Sequence, residues 1–151
     1  MANMNSFKNT IEKTPDISTG YRSGLGALGA NSKYVTATST HLLEGSVDID
    51  GCTEKLYPHA NRWDYVISYN GKAFFLEVHP ATGGEVKVVA AKREWLLSWL
   101  KQKASSLNSY PVGSPKLTWV HSGKCGLSKT STEYRRAALM GLIPTNILRL
   151  K

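Results

Sequence analysis

Two short, mainly apolar stretches lie close together in the chain, which is typical of neighbouring β-strands. The stretches cover residues 62–69 and 72–79, and both are rich in aromatic and β-branched residues. Only Asn70 and Gly71 separate them, and Asn-Gly between two such runs favours a two-residue type I′ turn. The pattern therefore predicts a β-hairpin.

Apolar spacing elsewhere predicts three helices and three further strands. Apolar residues recur at helical intervals from Glu85 to Ala104, with the lysines largely off the apolar stripe. Further helices are expected over 32–43 and 132–140, and strands over 46–50, 116–121 and 145–150. This mixture of helices and strands predicts an α/β fold in which helices flank a mixed central β-sheet.

The length and composition indicate one ordinary globular domain. The chain has 151 residues, of which 41% are hydrophobic and 20% charged. We expect a flexible arm over residues 1–20, which lack periodicity, followed by a single domain over 21–151. No stretch is apolar enough for a membrane span or a signal peptide, so we expect a cytoplasmic protein with no membrane partner. The two cysteines, Cys52 and Cys125, form no CxxC pair, and we expect reduced thiols.

The net charge of +8 is distributed unevenly along the chain. Residues 1–43 carry +2, residues 44–77 carry −3, and residues 78–151 carry +9. An acidic centre within a basic protein suits a cation-dependent enzyme that acts on a polyanion, because carboxylates bind the cation while Lys and Arg contact phosphates. The alternative interpretation is that the acidic stretch is a solvated surface.

The two-residue turn predicts which residues of the hairpin face each other. Counting back from the turn places Asp64 opposite Glu77. It also places Arg62 opposite His79, on the same face. Facing carboxylates repel, and a divalent cation such as Mg²⁺ would compensate because it takes carboxylate oxygens as ligands. Two alternatives are open: Arg62 or a lysine bridges the acids, or a bulge separates them.

The two faces of the hairpin differ in polarity. The face of Asp64 and Glu77 is apolar toward the turn and polar at the open end. The other face is expected to point into the core and carries Trp63, Tyr65, Ile67, Tyr69, Phe74, Leu76 and Val78.

At these residues the chain resembles the PD-(D/E)XK nuclease superfamily. Its signature is an Asp at the start of one hairpin strand and Glu-x-Lys on the next, within a helix-strand-strand-strand-helix-strand core. Asp64 matches the Asp and Glu77 matches the Glu, and the resemblance covers roughly residues 33–121. Trp63 stands where the motif has Pro, and His79 stands where it has Lys. The resemblance implies a restriction-endonuclease-like core.

The resemblance also implies a metal site and a reaction. Asp64 and Glu77 would hold Mg²⁺, and Glu44 would be the additional acid that the family often supplies from its first helix. The metal would stabilise the transition state of phosphodiester hydrolysis.

The residue that positions the attacking water departs from the family pattern. A histidine is only partly protonated near neutral pH, so His79 would replace the family lysine incompletely. Lys87 or Lys92, on the following helix, is expected to substitute, as in some members of the superfamily. Contacts to nucleic acid are expected from basic residues that follow the hairpin, namely Lys92, Arg93, Lys124 and Lys129.

The leading hypothesis is therefore a nucleic-acid-binding protein that resembles a Mg²⁺-dependent nuclease, with the choice between DNA and RNA open. The alternative is a non-catalytic nucleic-acid-binding or regulatory protein on the same fold, with a degenerate motif. A third hypothesis is a protein-interaction module whose basic helix meets an acidic partner. The oligomeric state is open between a monomer and a homodimer.

Overall fold

A computed structural model describes residues 6–151, which form a mixed α/β fold, and the α/β prediction is confirmed. Short 3₁₀ segments cover Pro15–Ile17, Gly26–Tyr34, Thr40–Leu42 and Gly83–Glu85. The helices are α1 (Ser6–Glu12), α2 (Ile49–Thr53), α3 (Val86–Lys103), α4 (Ser105–Asn108) and α5 (Thr132–Leu139). The strands are β1 (Val35–Ala37), β2 (Leu43–Asp48), β3 (Tyr65–Tyr69), β4 (Lys72–His79), β5 (Val112–His121) and β6 (Leu148–Leu150).

The main sheet has four strands in the order β2-β3-β4-β5. Strands β2, β3 and β4 pair antiparallel, whereas β5 is parallel to β4 and is reached through the crossover helix α3. Strands β1 and β6 form a separate parallel pair. The predicted helices over 85–104 and 132–140 correspond to α3 and α5, and the predicted strand over 116–121 is the second half of β5.

The predicted hairpin is confirmed, including its register. Tyr69 pairs with Lys72 and Tyr65 pairs with Leu76, with no shift between them. Asn70 and Gly71 both have positive φ, 52° and 76°, as a type I′ turn requires. The bulge that would have separated the two acids is therefore not present in the β3–β4 ladder.

Both faces of the hairpin are buried, so the core has two parts. Tyr65, Ile67 and Leu76 pack on the side of β1 and β6, while Val66 and Phe75 pack on the side of α1 and α3. Trp63 was predicted to share the face of Tyr65, but it precedes β3, where strand alternation no longer applies. It packs with Val66 and Phe75 instead, and its indole N–H donates to the Tyr65 carbonyl (3.2 Å).

Several predictions for the first 50 residues are wrong. Residues 6–20 are not a flexible arm, because Phe7 and Ile11 of α1 are fully buried; residues 1–5 lie outside the described part of the chain. The helix expected over 32–43 is replaced by 3₁₀ turns, β1 and the start of β2. The strand expected over 46–50 ends at Asp48, whose carboxylate caps α2 by accepting the Gly51 N–H (2.8 Å).

The C-terminal strand is shorter than predicted. Of the residues 145–150, only Leu148–Leu150 form a strand, paired with β1, and Thr145 makes a single bridge to Val120. Both cysteines are free thiols, as expected. Within residues 6–151, no helix has the length and apolar character needed to cross a membrane.

Candidate functional site

Asp64 and Glu77 face each other at the open end of the hairpin, as the turn predicts. Asp64 lies one residue before β3, and its backbone N–H donates to Glu77 Oε1 (3.1 Å). The Val78 N–H donates in turn to Asp64 Oδ2 (3.0 Å). These two bonds extend the strand pairing by one step through the side chains. They use one oxygen of each carboxylate and leave Asp64 Oδ1 and Glu77 Oε2 for other partners.

The Lys92 ammonium lies between those two remaining oxygens. Its Nζ contacts Glu77 Oε2 directly and lies 3.5 Å from Asp64 Oδ1. A lysine bridge between the acids was one of the open alternatives, and α3 provides it. Arg62 does not, because its Nε donates to Asp50 Oδ1 (2.8 Å) and it lies outside β3. The prediction that Arg62 faces His79 is therefore wrong.

His79 belongs to the same cluster but sits between two carboxylates. Its Nε2 lies 2.5 Å from Glu85 Oε1, and its Nδ1 lies 3.5 Å from Glu77 Oε2. Hydrogen bonding to Glu77 raises the pKa of His79, burial opposes this, and the bond to Glu85 adds to the rise. Both ring nitrogens thus face acids, while Lys92 holds the position between Asp64 and Glu77.

Three of the four side chains of the cluster are partly exposed. The Glu77 side chain is fully buried, whereas those of Asp64, Lys92 and His79 are 18%, 16% and 17% exposed. Burial raises the pKa of Asp64 to about 7, and the Glu77 carboxylate adds to that rise. Burial lowers the pKa of Lys92, but the carboxylates of Glu77 and Asp64 outweigh burial and the net shift is upward.

The donor set fits a hard divalent cation that keeps most of its water. Mg²⁺ is usually bound through one or two carboxylates, with waters and substrate phosphates completing its shell. Asp64 Oδ1 and Glu77 Oε2 approach a common point, which is occupied by the ammonium of Lys92. No group of three or more His, Cys, Asp and Glu side chains in 6–151 is arranged to hold a metal, so these two oxygens would be the protein's contribution.

Glu44, expected as the third acid, lies at the opposite end of the hairpin. Its Oε1 accepts hydrogen bonds from Ser68 Oγ (2.8 Å) and from the Gly71 N–H in the turn (2.7 Å). Ser68 is four residues along β3 from Asp64, or about 13 Å. The predicted role of Glu44 as a metal ligand beside Asp64 is therefore wrong for this arrangement.

Lys87 also lies apart from the acid pair. It lines a cavity of about 490 Å³ between the start of α3 and α5, opposite Arg136. Lys87 and Lys92 are five residues apart on α3, so they point in directions about 140° apart around the helix axis. Lys87 therefore lies away from Asp64 and Glu77, whereas Lys92 contacts both.

The other predicted nucleic-acid contacts are dispersed. Lys124 and Lys129 are exposed in the loop between β5 and α5. That loop passes the end of β4, because the Ser122 N–H donates to the His79 carbonyl (3.2 Å). Arg93 pairs with its neighbour Glu94 (2.7 Å), and its Nε is buried without a hydrogen-bond partner among the described residues.

The sequence contains a signal for Lys92, which is an exception to the lysines expected off the apolar stripe of α3. Lys92 lies three residues after Val89, four before Leu96 and seven before Trp99, all of which are buried. It therefore falls within the apolar face of α3, where an ammonium needs a buried anion. Glu85 immediately precedes α3 and contacts His79, and no comparable pattern in the sequence indicates this contact.

Comparison of this chain with models of protein families, with curated proteins and with solved structures finds no match in any of the three.

Proposed function

We propose that this protein is a nucleic-acid-binding, nuclease-like enzyme that hydrolyses phosphodiesters with a divalent cation, Mg²⁺ being the first choice. The observation that carries the proposal is the convergence of Asp64, Glu77 and Lys92 at the partly exposed end of the β3–β4 hairpin. Two carboxylates and a lysine are the groups that the PD-(D/E)XK motif contains. Here the lysine comes from the helix rather than from the strand.

The order of elements supports a restriction-endonuclease-like core. Three antiparallel strands, β2, β3 and β4, are followed by α3 and by β5 parallel to β4. This is the strand-strand-strand-helix-strand part of the superfamily pattern, with both acids on the central hairpin.

Each residue of the cluster has a distinct part in the proposed reaction. Asp64 and Glu77 would hold the cation, which supplies Lewis acidity toward the phosphoryl oxygens. Lys92 would donate hydrogen bonds to the attacking water or to a phosphate oxygen and so stabilise the developing negative charge. His79, fixed by Glu85, donates toward Glu77 and keeps that carboxylate oriented.

Two basic residues in a cavity near the start of α3 support a polyanionic substrate. Lys87 and Arg136 line this cavity together with one acid, Glu133, and in residues 6–151 neither base has a carboxylate within ion-pair distance. Glu85 connects this region to the site, because it contacts His79 and is followed two residues later by Lys87. A nucleic-acid backbone that crosses the cavity would place neighbouring phosphates near Asp64 and Glu77.

The reaction is tested by incubating the protein with single- and double-stranded DNA and RNA, with Mg²⁺ or with EDTA. We expect cleavage only with Mg²⁺, and a loss of at least about 100-fold in Asp64→Asn. Glu12→Gln, which removes one exposed carboxylate from α1, is the matched control and should keep full activity. Salt-sensitive binding without any cleavage would favour the non-catalytic alternative. No binding even at low salt would favour the protein-interaction module.

The binding surface is tested separately with Lys87→Gln/Arg136→Gln. We expect weaker nucleic-acid binding and a salt dependence whose slope falls by about 2, because two phosphate contacts are removed. Lys101→Gln/Lys103→Gln removes the same charge about 20 Å further along α3 and is the control. Equal losses in both double variants would show that overall charge, and not this cavity, governs binding.

A further inference from the structure

The Lys92 ammonium sits where a divalent cation would sit. Asp64 Oδ2 and Glu77 Oε1 are already engaged with backbone N–H groups. The two oxygens left for a cation, Asp64 Oδ1 and Glu77 Oε2, are the two that face Lys92 Nζ. A cation bound to both would therefore meet the ammonium at close range, where two positive charges repel.

We propose that Lys92 and the divalent cation are alternative occupants of this position, so that Lys92 excludes the cation until its side chain moves out. This inference rests on the proposed function, since it concerns regulation of the same site. In the cation-free protein, Lys92 neutralises the buried Glu77 and serves as a built-in counter-ion. When the cation binds, the ammonium is released toward the exposed side of the cluster, where a phosphate can receive it.

The neighbourhood of Lys92 permits this movement. Glu77 and Asp64 are fixed by backbone hydrogen bonds, but Lys92 reaches them through a flexible four-carbon stem. Its side chain is 16% exposed, close to the 18% of Asp64 and the 17% of His79, so it borders solvent as they do. Movement therefore requires rotation of one side chain and no change of the backbone.

The competition is tested by measuring Mn²⁺ binding in the absence of substrate, by calorimetry and electron paramagnetic resonance at constant pH. Mn²⁺ is the probe because it accepts the same oxygen ligands as Mg²⁺ and is directly detectable. Lys92→Met should bind Mn²⁺ at least about 10-fold more tightly than the wild type. Lys101→Met removes the same charge from the same helix, away from the acids, and should leave the affinity unchanged. Equal or weaker binding in Lys92→Met overturns the competition.

A second measurement uses the wild-type chain, in case Lys92→Met fails to fold without a cation. The rate of acylation of each lysine by an amine-reactive reagent is followed by mass spectrometry. Saturating Mn²⁺ should raise the rate at Lys92 several-fold and leave the rates at Lys87 and Lys101 unchanged. Lys92 that stays protected while Mn²⁺ is bound overturns the competition but leaves the metal site intact. Absence of Mn²⁺ binding in every variant overturns both the competition and the proposed cation-dependent reaction.

Discussion

A glutamate lies at each end of the β3–β4 hairpin, Glu44 of β2 at the turn and Glu77 of β4 at the open end, and the two have different partners. At the turn end, Glu44 accepts hydrogen bonds from the Ser68 hydroxyl and the Gly71 N–H, which are both neutral donors. At the open end, Glu77 accepts one backbone N–H and directs its other oxygen toward the cationic side chain of Lys92 and toward His79. The two glutamates thus lie at opposite ends of one hairpin, and the donors described here are neutral for Glu44 but include a cation for Glu77.

This difference separates a structural acid from an exchangeable one. The Ser68 and Gly71 donors to Glu44 are held by β3 and by the turn, and a cation could replace these two only by distorting the hairpin. The main donor to Glu77 Oε2 is the ammonium of Lys92, which is on a flexible side chain and can leave without disturbing the strands. A carboxylate whose partner can be exchanged is the one suited to bind a cation.

The largest expected difference between the two ends is in catalysis. Glu77→Gln should reduce Mg²⁺-dependent cleavage by at least about 1,000-fold, because it removes one of the two anionic ligands. Glu44→Gln, the same substitution at the turn end, should stay within about 2-fold of the wild type. Rates are compared on one substrate at saturating Mg²⁺, after circular dichroism shows that both variants are folded. Similar losses in the two variants would mean that the ends of the hairpin do not differ in function.

The next effect is on the stability of the cation-free protein. Lys92→Met should lower the free energy of unfolding by about 3 kcal/mol, because it leaves the buried Glu77 carboxylate without its counter-charge. Glu44→Gln should cost less than about 1 kcal/mol, because the amide oxygen can still accept both hydrogen bonds. Urea unfolding with EDTA at pH 8 measures both. A Lys92→Met variant as stable as the wild type would show that the ammonium is not needed to balance Glu77.

The smallest effect is the pH dependence of thermal stability. Asp64 has a pKa of about 7 in the folded protein against 3.8 ordinarily, and the pKa of His79 is raised above 6.5. Both groups bind protons more tightly in the folded protein than in the unfolded chain. Their contribution to the free energy of unfolding is therefore complete at low pH and is lost as the pH rises through the folded pKa values. With EDTA, the melting temperature should fall by about 5 °C between pH 5.5 and pH 8.5.

Asp64→Asn isolates the contribution of one acid to that trend. This variant should show a smaller decline of the melting temperature around pH 7. The decline that remains should come from His79. Glu44→Gln should keep the full decline, because Glu44 lies outside the cluster. A wild-type melting temperature that is constant or rises over this interval would contradict the proposed proton uptake at Asp64.

The acid pair was predictable because it depends on local geometry. An Asn-Gly turn sets the register of two short strands, and the pairing of Asp64 with Glu77 follows by counting residues. The long amphipathic helix α3 was predictable for the same reason, since its period is a property of contiguous residues. In both cases the deciding contacts are made by neighbours in sequence.

The residues that were misplaced depend on long-range contacts. The assignment of Glu44 to the acid pair was wrong because β2 runs antiparallel to β3, with a register shift between Leu43 and Gly45, which carries Glu44 to the turn end. The segment expected as a helix over 32–43 contains β1, whose partner β6 lies near the C-terminus. The spacing of Lys92 on the apolar face of α3 indicates that it is buried, but its contact with Asp64 and Glu77 depends on how α3 packs against the sheet.

The Asn70–Gly71 turn also determines how the chain tolerates changes in length. The turn lies six residues from Asp64 on one side and six from Glu77 on the other, about 20 Å in extended backbone. One residue inserted there would slip one strand against the other by a single position and direct the two carboxylates to opposite faces of the sheet. The acid pair therefore depends on the length of this surface turn as much as on the identity of the two acids.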